Sequence, residues 1–476
     1  MKKNSIETTH IFTSCTNNYL PKARVLGKTL KKFHPNIKFH LVLSDIIHHS
    51  INLENEPFDS IITLEELPIP NLKQWIFKHS LVEMCTAVKG LGFLEIIKRY
   101  NCDNVIFFDP DIAIFYPLDE LLDNFNQNDI LLTPHQLNPE NLKDAVIDNE
   151  ICFLKYGTFN LGFLGVKNSE EGIKFLHWWS SRCLNFCYDD PSRGLYTDQR
   201  WIDLVPSFFS DITILKHPGY NVANWNLTNR HVTGDISNKI FVENQPLCFY
   251  HFSGSQGIMP QKYDLINPSI ESLLKWYEDE CATMGEKEFS KISCFYDYFD
   301  NGELIKKEER LLYRERIDLQ QNYPNPFDTK NSEDCYYNWY RNYENEKQKI
   351  ESEKNNRLYA LEWHFEDKSK QINDLQQQLD EKNNRLYALE WHFEDKTKQL
   401  NEKNDRLYAL EWHFEDKSKQ IHDLQQQLDE KTYKIHNLQE QLDKILGLIE
   451  EIESSKFWKL RQRWFTFRKI FTLKKN

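Results

Sequence analysis

Two aspartates flank a single proline, Asp109-Pro110-Asp111, directly after the apolar run 104–108. A run of that length and composition predicts a buried strand. Residues i and i+2 of an extended chain point the same way, and proline holds φ near about −65°, so both carboxylates can face one ligand. Such a pair can hold a divalent cation, which stabilises negative charge developing on a departing phosphate. Paired acids after a strand also cap helices or stand solvated, so the pair alone leaves both readings open. His251, in Tyr250-His251-Phe252-Ser253-Gly254, follows another apolar stretch and is a candidate third ligand; a hydrogen-bonded core histidine is the alternative. An imidazole beside carboxylates favours Mn2+ over Mg2+, although Mg2+ stays possible. Gly254 would let backbone amides approach a diphosphate closely.

A second constellation lies between these. Asp198-Gln199 sits beside Trp201, and Asn160 and Gly162 belong to the separate apolar segment TFNLGFLGV (158–166). Carboxylate and amide groups over aromatic faces suit a hydroxyl-rich ligand, whereas the same residues also form caps and turns.

The elements that must position these groups are readable from periodicity. Residues 9–15 are strand-like, residues 21–33 space Ala23, Leu26, Leu30 and Phe33 along one helical face, and residues 37–43 form a second strand. This β-α-β opening predicts a parallel sheet, whose ligands bind beyond the carboxyl ends of the strands. Thr13, Ser14 and Asp45 fall at those ends. A helical stretch from Leu72 to about Tyr100 precedes the strand before Asp109. The segments 196–206, 217–227 and 249–255 each join an apolar stem to a polar tip, as the rim of a pocket does. Pro324 and Pro326 mark a domain edge.

Composition sets bounds on the whole. The formal net charge is −13, yet residues 455–476 hold eight Lys or Arg and no acid; without those eight the chain has 51 basic against 72 acidic residues. A body that acidic excludes a general nucleic-acid binder. The ten cysteines form no CxxC pair and read as reduced thiols, and no window reaches the ~20 apolar residues of a membrane span, so a cytoplasmic protein is expected.

Past residue 344 the sequence is repetitive. EKNNRLYALEWHFEDK begins at Glu353, a shortened copy begins at Glu381, and another follows from Glu402; the offsets of 28 and 21 are multiples of seven. With Leu358 at a and Leu361 at d, one alternation runs to Ile452, predicting a coiled coil of about 140 Å. Lysine at d (368, 382, 396, 403, 417, 431) weakens this seam but penalises register slips, and a parallel homodimer is the expected assembly. In the tail, Phe457, Leu460, Trp464, Phe467 and Phe471 form an apolar stripe among basic residues, the pattern of a helix lying on anionic lipid. A basic helix packed on an acidic protein surface is one alternative, and a nucleic-acid contact confined to the tail is another.

In chain order, TSCTNNYLPKARVLGKTL, EMCTAVKG, NVIFFDPDIAIFYPLDEL, TFNLGFLGV, TDQRWIDLVP, HPGYNVANWNL and YHFSG resemble the GT-A class of glycosyltransferases, and within it a bacterial group similar to glycosyltransferase family 8. The resemblance covers about residues 8 to 328. It implies an α/β fold, a GT-A (Rossmann-like) nucleotide-diphospho-sugar transferase domain over residues 1–330. Behind it come a linker (331–343), the coiled coil (344–454) and the basic tail (455–476). It further implies that Thr13, Ser14, Tyr19 and Asp45 hold the nucleoside. Lys89 would stand near the donor, Asp109, Asp111 and His251 would bind the metal, and Asn160, Asp198 and Gln199 would line the sugar and acceptor as catalytic residues. The family pattern carries a Lys-Pro-Trp triplet after His-Phe-x-Gly, where this chain reads SQGIMPQKYD; Lys262 is the candidate replacement.

The expected function is metal-dependent transfer of a sugar from a nucleotide-diphosphate donor, a UDP-sugar, to a hydroxyl of a surface glycan or lipid-linked acceptor, with retention of configuration. A non-catalytic coiled-coil scaffold with a glycan- or nucleotide-binding head is one alternative. A nucleotidyltransferase is another, although TSCTNNYLP lacks the Gly- and Arg/Lys-rich phosphate loop it would need.

Overall fold

β1 (Thr9–Cys15) leads through α1 (Leu20–Phe33) to β2 (Lys38–Leu43) and β3 (Ser60–Thr63), which gives the β-α-β opening expected from periodicity. The computed structural model describes residues 8–253, 262–263, 265–330, 334–398 and 404–454. Gly254 and the basic tail at 455–476 lie outside these described residues, so the expectations placed on them do too. Ala23, Leu26 and Leu30 of the predicted stripe are buried.

The helical stretch expected from Leu72 to Tyr100 is three helices: α2 (Leu72–Lys78), α3 (Leu81–Ala87) and α4 (Lys89–Tyr100). The first break is made by Ser80, whose hydroxyl accepts the Glu83 N–H while the Glu83 carboxylate accepts the Ser80 N–H at 2.7 Å. That reciprocal cap starts a new helix in place of continuing the old one.

β4 (Asn104–Phe108), β5 (Ile112–Ile114) and β6 (Ile130–Pro134) follow. Then come the short helix α5 (Cys152–Tyr156), β7 (Phe159–Lys167), α6 (Glu170–Phe186) and β8 (Ile212–Ile214). The seven-stranded sheet has the order β8-β6-β7-β4-β1-β2-β3, and only β7 runs antiparallel to its neighbours. Strand order reverses between β1 and β4, the place where open α/β sheets leave a crevice at their carboxyl edge. Phe12, Phe93 and Phe107 meet edge to face beneath that crevice.

A second sheet joins β5 to β9 (Val222–Ala223) and β10 (Phe249–His251). β10 runs antiparallel to β5 with His251 opposite Ile112, and the Phe252 N–H donates to the Asp111 carbonyl at 2.8 Å. This register delivers the histidine to the aspartate pair across 140 residues of chain.

The contacts divide the chain into two units, one whose described residues end at Asn338 and one spanning Trp339–Trp458. The first unit does not stop at Pro324 and Pro326. Tyr336 is fully buried and its hydroxyl donates to the Glu309 carbonyl at 2.7 Å, so part of the stretch expected as linker is already core and already helical.

The second unit differs from the expected rod. It consists of α7 (Tyr336–Lys398) from residue 339 onward and α8 (Asn404–Ser454), together with the undescribed residues between and after them. Lys382 Nζ donates to Gln420 Oε1 at 3.4 Å, and Lys431 Nζ donates to Gln371 Oε1 at 3.1 Å. Positions that rise along one helix fall along the other, so the helices run antiparallel within one chain. The physical reason is proximity: an arm tethered to its partner sits at millimolar effective concentration, which favours pairing with it over a separate chain. The heptads and seam lysines are used, but not in a continuous parallel rod. No helix among the described residues is long and apolar enough to cross a membrane.

Candidate active site

β1 and β4 end side by side, and a cavity of about 580 Å3 opens at their carboxyl edge. Ser14 and Tyr19 line it from the β1 side, Asp109 and Asp111 from the end of β4, Asn160 from β7, and His251 from β10. Lys89, at the start of α4, and the Asp198-Gln199 pair complete the polar wall. The structure therefore brings together nine of the residues singled out from sequence.

At the centre, His251 Nε2 lies 3.1 Å from Asp111 Oδ1 and 3.7 Å from Asp109 Oδ2. One donor atom from each of the three residues falls within 4.8 Å of the others. The ring has no room to withdraw: a Cβ built on Gly162 would stand 2.5 Å from His251 Cε1 and 2.8 Å from Asn160 Oδ1. On its other side Trp225 meets the imidazole edge to face at 5.2 Å.

The electrostatics follow from burial. Burial disfavours charge at Asp109 by more than Lys89 and His251 restore it, and its carboxyl is held above the usual range. Burial opposes charge at Asp111 as well, but the facing His251 outweighs it and the carboxyl sits below its usual value. Burial likewise works against the His251 cation, and the two aspartates overcome it and raise the ring's proton affinity. An acceptor nitrogen facing a carboxylate oxygen at 3.1 Å needs a positive centre between them, a proton or a cation. Two carboxylates and one imidazole are a donor set that fits Mn2+, with Mg2+ less favoured.

Lys89 is only 3 % exposed. Its ammonium lies 3.2 Å from Asp109, 3.1 Å from Asp198 and 3.0 Å from the Leu161 carbonyl, and 4.3 Å from the centre of the Phe107 ring. These partners overcome the burial penalty and raise its pKa, so it is a fixed cation. Gly90 allows this placement, because a Cβ there would come within 2.4 Å of Ser180 Oγ on α6. Gln199 ties the wall together: its Oε1 accepts the Leu161 N–H at 3.2 Å and its Nε2 donates to the Tyr156 carbonyl at 3.0 Å.

Other expected residues stand elsewhere. Asp45 does not line the cavity; its carboxylate accepts from the Asn17 side chain (2.7 Å), the Ile46 N–H (2.8 Å) and the Phe295 N–H (3.0 Å), an anchor for loops around the strand end. Burial pushes that carboxyl well above the usual range. Thr13 is sealed within the sheet. Lys262 pairs with Asp148 away from the cavity lining. Trp201 belongs to a separate hollow beside Arg200 and Leu204, so it is not the aromatic face next to Asp198 and Gln199.

That face comes from residues the sequence reading did not single out: Phe153, Tyr156, Tyr196 and Trp225, with His135. Tyr156 and Tyr196 meet edge to face at 4.6 Å, and His135 stacks on Phe153 at 4.8 Å. Tyr196 and Trp225 lie within two of the segments expected as rim, 196–206 and 217–227. The others sit in short helices and loops whose aromatic residues are indistinguishable from core by periodicity.

No family model matches the chain. It is 24 % identical over 269 residues to the uncharacterized protein YfnD of Bacillus subtilis (strain 168), covering 55 % of this chain and 82 % of that one. It is 27 % identical over 174 residues to the uncharacterized protein YfnF of the same organism, covering 36 % of this chain and 56 % of YfnF. Among solved structures it is similar to the galactosyltransferase LgtC in complex with donor and acceptor sugar analogs (16 % identity, TM-score 0.36, covering 58 % of this chain and 96 % of that one). It is also similar to the glycosyltransferase GlyE of Streptococcus pneumoniae TIGR4 (13 % identity, TM-score 0.34, covering 67 % and 73 %). At these identities and TM-scores the likenesses add nothing to what the site geometry itself supports.

Proposed function

We propose that this protein is a metal-dependent glycosyltransferase that moves a sugar from a nucleotide-diphosphate donor, a UDP-sugar, to a hydroxyl of a surface glycan or lipid-linked oligosaccharide. The observation that carries the reading is the convergence of Asp109, Asp111 and His251 on the wall of one cavity that also holds Lys89, Asn160 and Asp198. Asp109, Asp111 and His251 would hold Mn2+, or Mg2+. When bound, that ion supplies Lewis-acid stabilisation of the charge left on the diphosphate.

The chain's own residues do the rest. Ser14 and Tyr19 line the cavity next to β1, where the nucleoside would rest. Lys89 offsets the charge of Asp109 and Asp198, so an anionic donor meets a wall that is not purely acidic. Asp198 offers polar atoms to sugar hydroxyls, Asn160 stands in the wall beside His251, and Tyr156 and Tyr196 offer ring faces to the apolar side of a sugar. Retention of configuration, and seating of the 455–476 tail on anionic lipid at the cytoplasmic membrane face, belong to the same proposal.

The test is release of UDP from a panel of UDP-sugars, with Mn2+ and with a chelator, read by mass spectrometry. One donor should turn over with Mn2+, and Asp111→Ala should lower that turnover at least ~100-fold. Undiminished turnover in that variant, or in the presence of chelator, overturns the proposal.

A further inference from the structure

Asn160 stands between two histidines. Its side-chain Oδ1 faces His251 Nδ1 at 3.2 Å, and its Nδ2 faces His135 Nε2 at 3.3 Å. An amide drawn this way could be turned over, exchanging oxygen for nitrogen, unless something that can only donate fixes it. The Gly162 backbone supplies that: its N–H donates to Asn160 Oδ1 at 3.2 Å. A backbone N–H cannot accept, so the oxygen must lie on this side. It follows that His251 Nδ1, which shares the oxygen, carries a proton, and that Asn160 Nδ2 donates to His135 Nε2.

His135 is built to receive that bond. It is buried, stacked on Phe153 at 4.8 Å and edge-on to Trp225 at 5.8 Å, and its carbonyl accepts from Asn226 Nδ2 at 3.0 Å. Burial pushes its pKa down to about 4, so the ring is neutral at ordinary pH, and the Asn160 Nδ2–H facing Nε2 puts the ring's own proton on Nδ1. The Asn160 backbone is held as well, its carbonyl accepting from Thr133 Oγ1 at 3.3 Å.

We infer that Asn160, backed by His135, is the positioning residue that fixes the tautomer of His251, leaving Nε2 as the nitrogen presented to Asp109, Asp111 and whatever cation they share. The orienting partner of a ligating imidazole is ordinarily a carboxylate, a carbonyl or water. Here an amide does the task, and a neutral histidine behind it keeps the amide from turning. The inference rests on the proposed metal reading, because without a cation the Asp111 carboxylate, 3.1 Å from Nε2, competes for the ring's proton.

The experiment uses the full chain labelled with 15N-histidine and loaded with Mg2+, a diamagnetic cation that takes the place opposite Asp111, at a pH where the ring is neutral. Long-range proton–nitrogen spectra distinguish the two tautomers, and the His251 signals are those lost in His251→Gln. The wild type should show the Nδ1–H form. Asn160→Leu should shift the ring towards Nε2–H. His135→Phe, which keeps the stack on Phe153 but removes the acceptor, should shift it in the same direction, while His135→Gln restores an acceptor and with it the original form. A wild-type ring protonated at Nε2, or a ring unchanged in both Asn160→Leu and His135→Phe, overturns the inference. Mn2+ titration of the same proteins forms the second arm, where Asn160→Leu should weaken binding about 10–100-fold. A wild type that takes up no Mn2+ defeats the metal reading, whereas one that binds Mn2+ but carries its ring proton on Nε2 defeats this inference alone.

Discussion

Gly162 is where a single missing atom has the widest effect. A methyl group at that position would meet the His251 ring at 2.5 to 2.6 Å and the Asn160 oxygen at 2.8 Å, distances at which the neighbours must move. Neither neighbour is the loose end of a flexible chain. Gly162→Ala should therefore cost about 1–3 kcal/mol, read by denaturant unfolding, and should weaken Mn2+ binding more than a remote destabilising substitution of equal cost. Unaltered Mn2+ affinity would show that the ring is free to retreat. Such a glycine is only partly legible in sequence: TFNLGFLGV announces a strand, but not that one glycine faces a histidine 89 positions away. The aspartates, His251 and Asp198 were legible because polar groups at the ends of apolar stems have few other places to go, whereas Lys89, at a helix start, was pointed to by the family resemblance alone. Asp45 gave the same signal and yet serves as an anchor, because one of its partners, Phe295, comes from 250 residues further on. His135, Phe153 and Tyr156 gave no signal, since aromatic residues in short elements read as packing.

Among the elements, the β-α-β opening and its parallel strands followed from the alternation of stems and helices, whereas the full sheet order and the reversed direction of β7 did not. A strand buried on both faces reads the same in either direction. The helical repeat gives the opposite lesson. Its heptads fix which face is the seam but not which partner occupies it, and tethering decides that in favour of the chain's own second arm. A Gln371→Cys/Lys431→Cys variant should accordingly close an intramolecular disulfide and migrate as a single chain under oxidising, denaturing conditions. In a parallel pair of chains Lys431, a d position, would face its own copy, and the single Lys431→Cys variant would crosslink two chains instead. The break between α2 and α3 belongs to the same scale, where one serine and one glutamate override an unbroken helical periodicity.

At the scale of the whole molecule, stability carries a pH dependence set far from the cavity. His40 is fully buried, its Nε2 2.8 Å from His10 Nδ1 and its Nδ1 2.7 Å from Ser60 Oγ, with Tyr100 stacked on it at 4.7 Å. Burial pushes its pKa down to about 3, below the unfolded value of 6.5. The neutral ring thus contributes stability that is complete above about pH 6.5 and is lost as pH falls towards 3, about 2 kcal/mol of it by pH 5. Unfolding free energies at pH 7.5 and pH 5 should differ accordingly, and His40→Gln should flatten that difference by about the same amount; an unchanged slope would show that the ring titrates normally. Composition hinted at neither histidine, because a buried neutral ring and a solvated one look alike in a sequence.

Residues 49 positions apart, 371 with 420 and 382 with 431, occupy matching places on the two arms, so Lys382 to Gln420 and Lys431 to Gln371 are one contact written twice. Each arm is therefore a template for the other, and the corresponding arm of a neighbouring molecule offers the same template. Closure on itself and exchange with a neighbour make the same bonds and differ mainly in the entropy of joining. Any exchange of arms between molecules would then depend on protein concentration rather than on a further change in the amino acids.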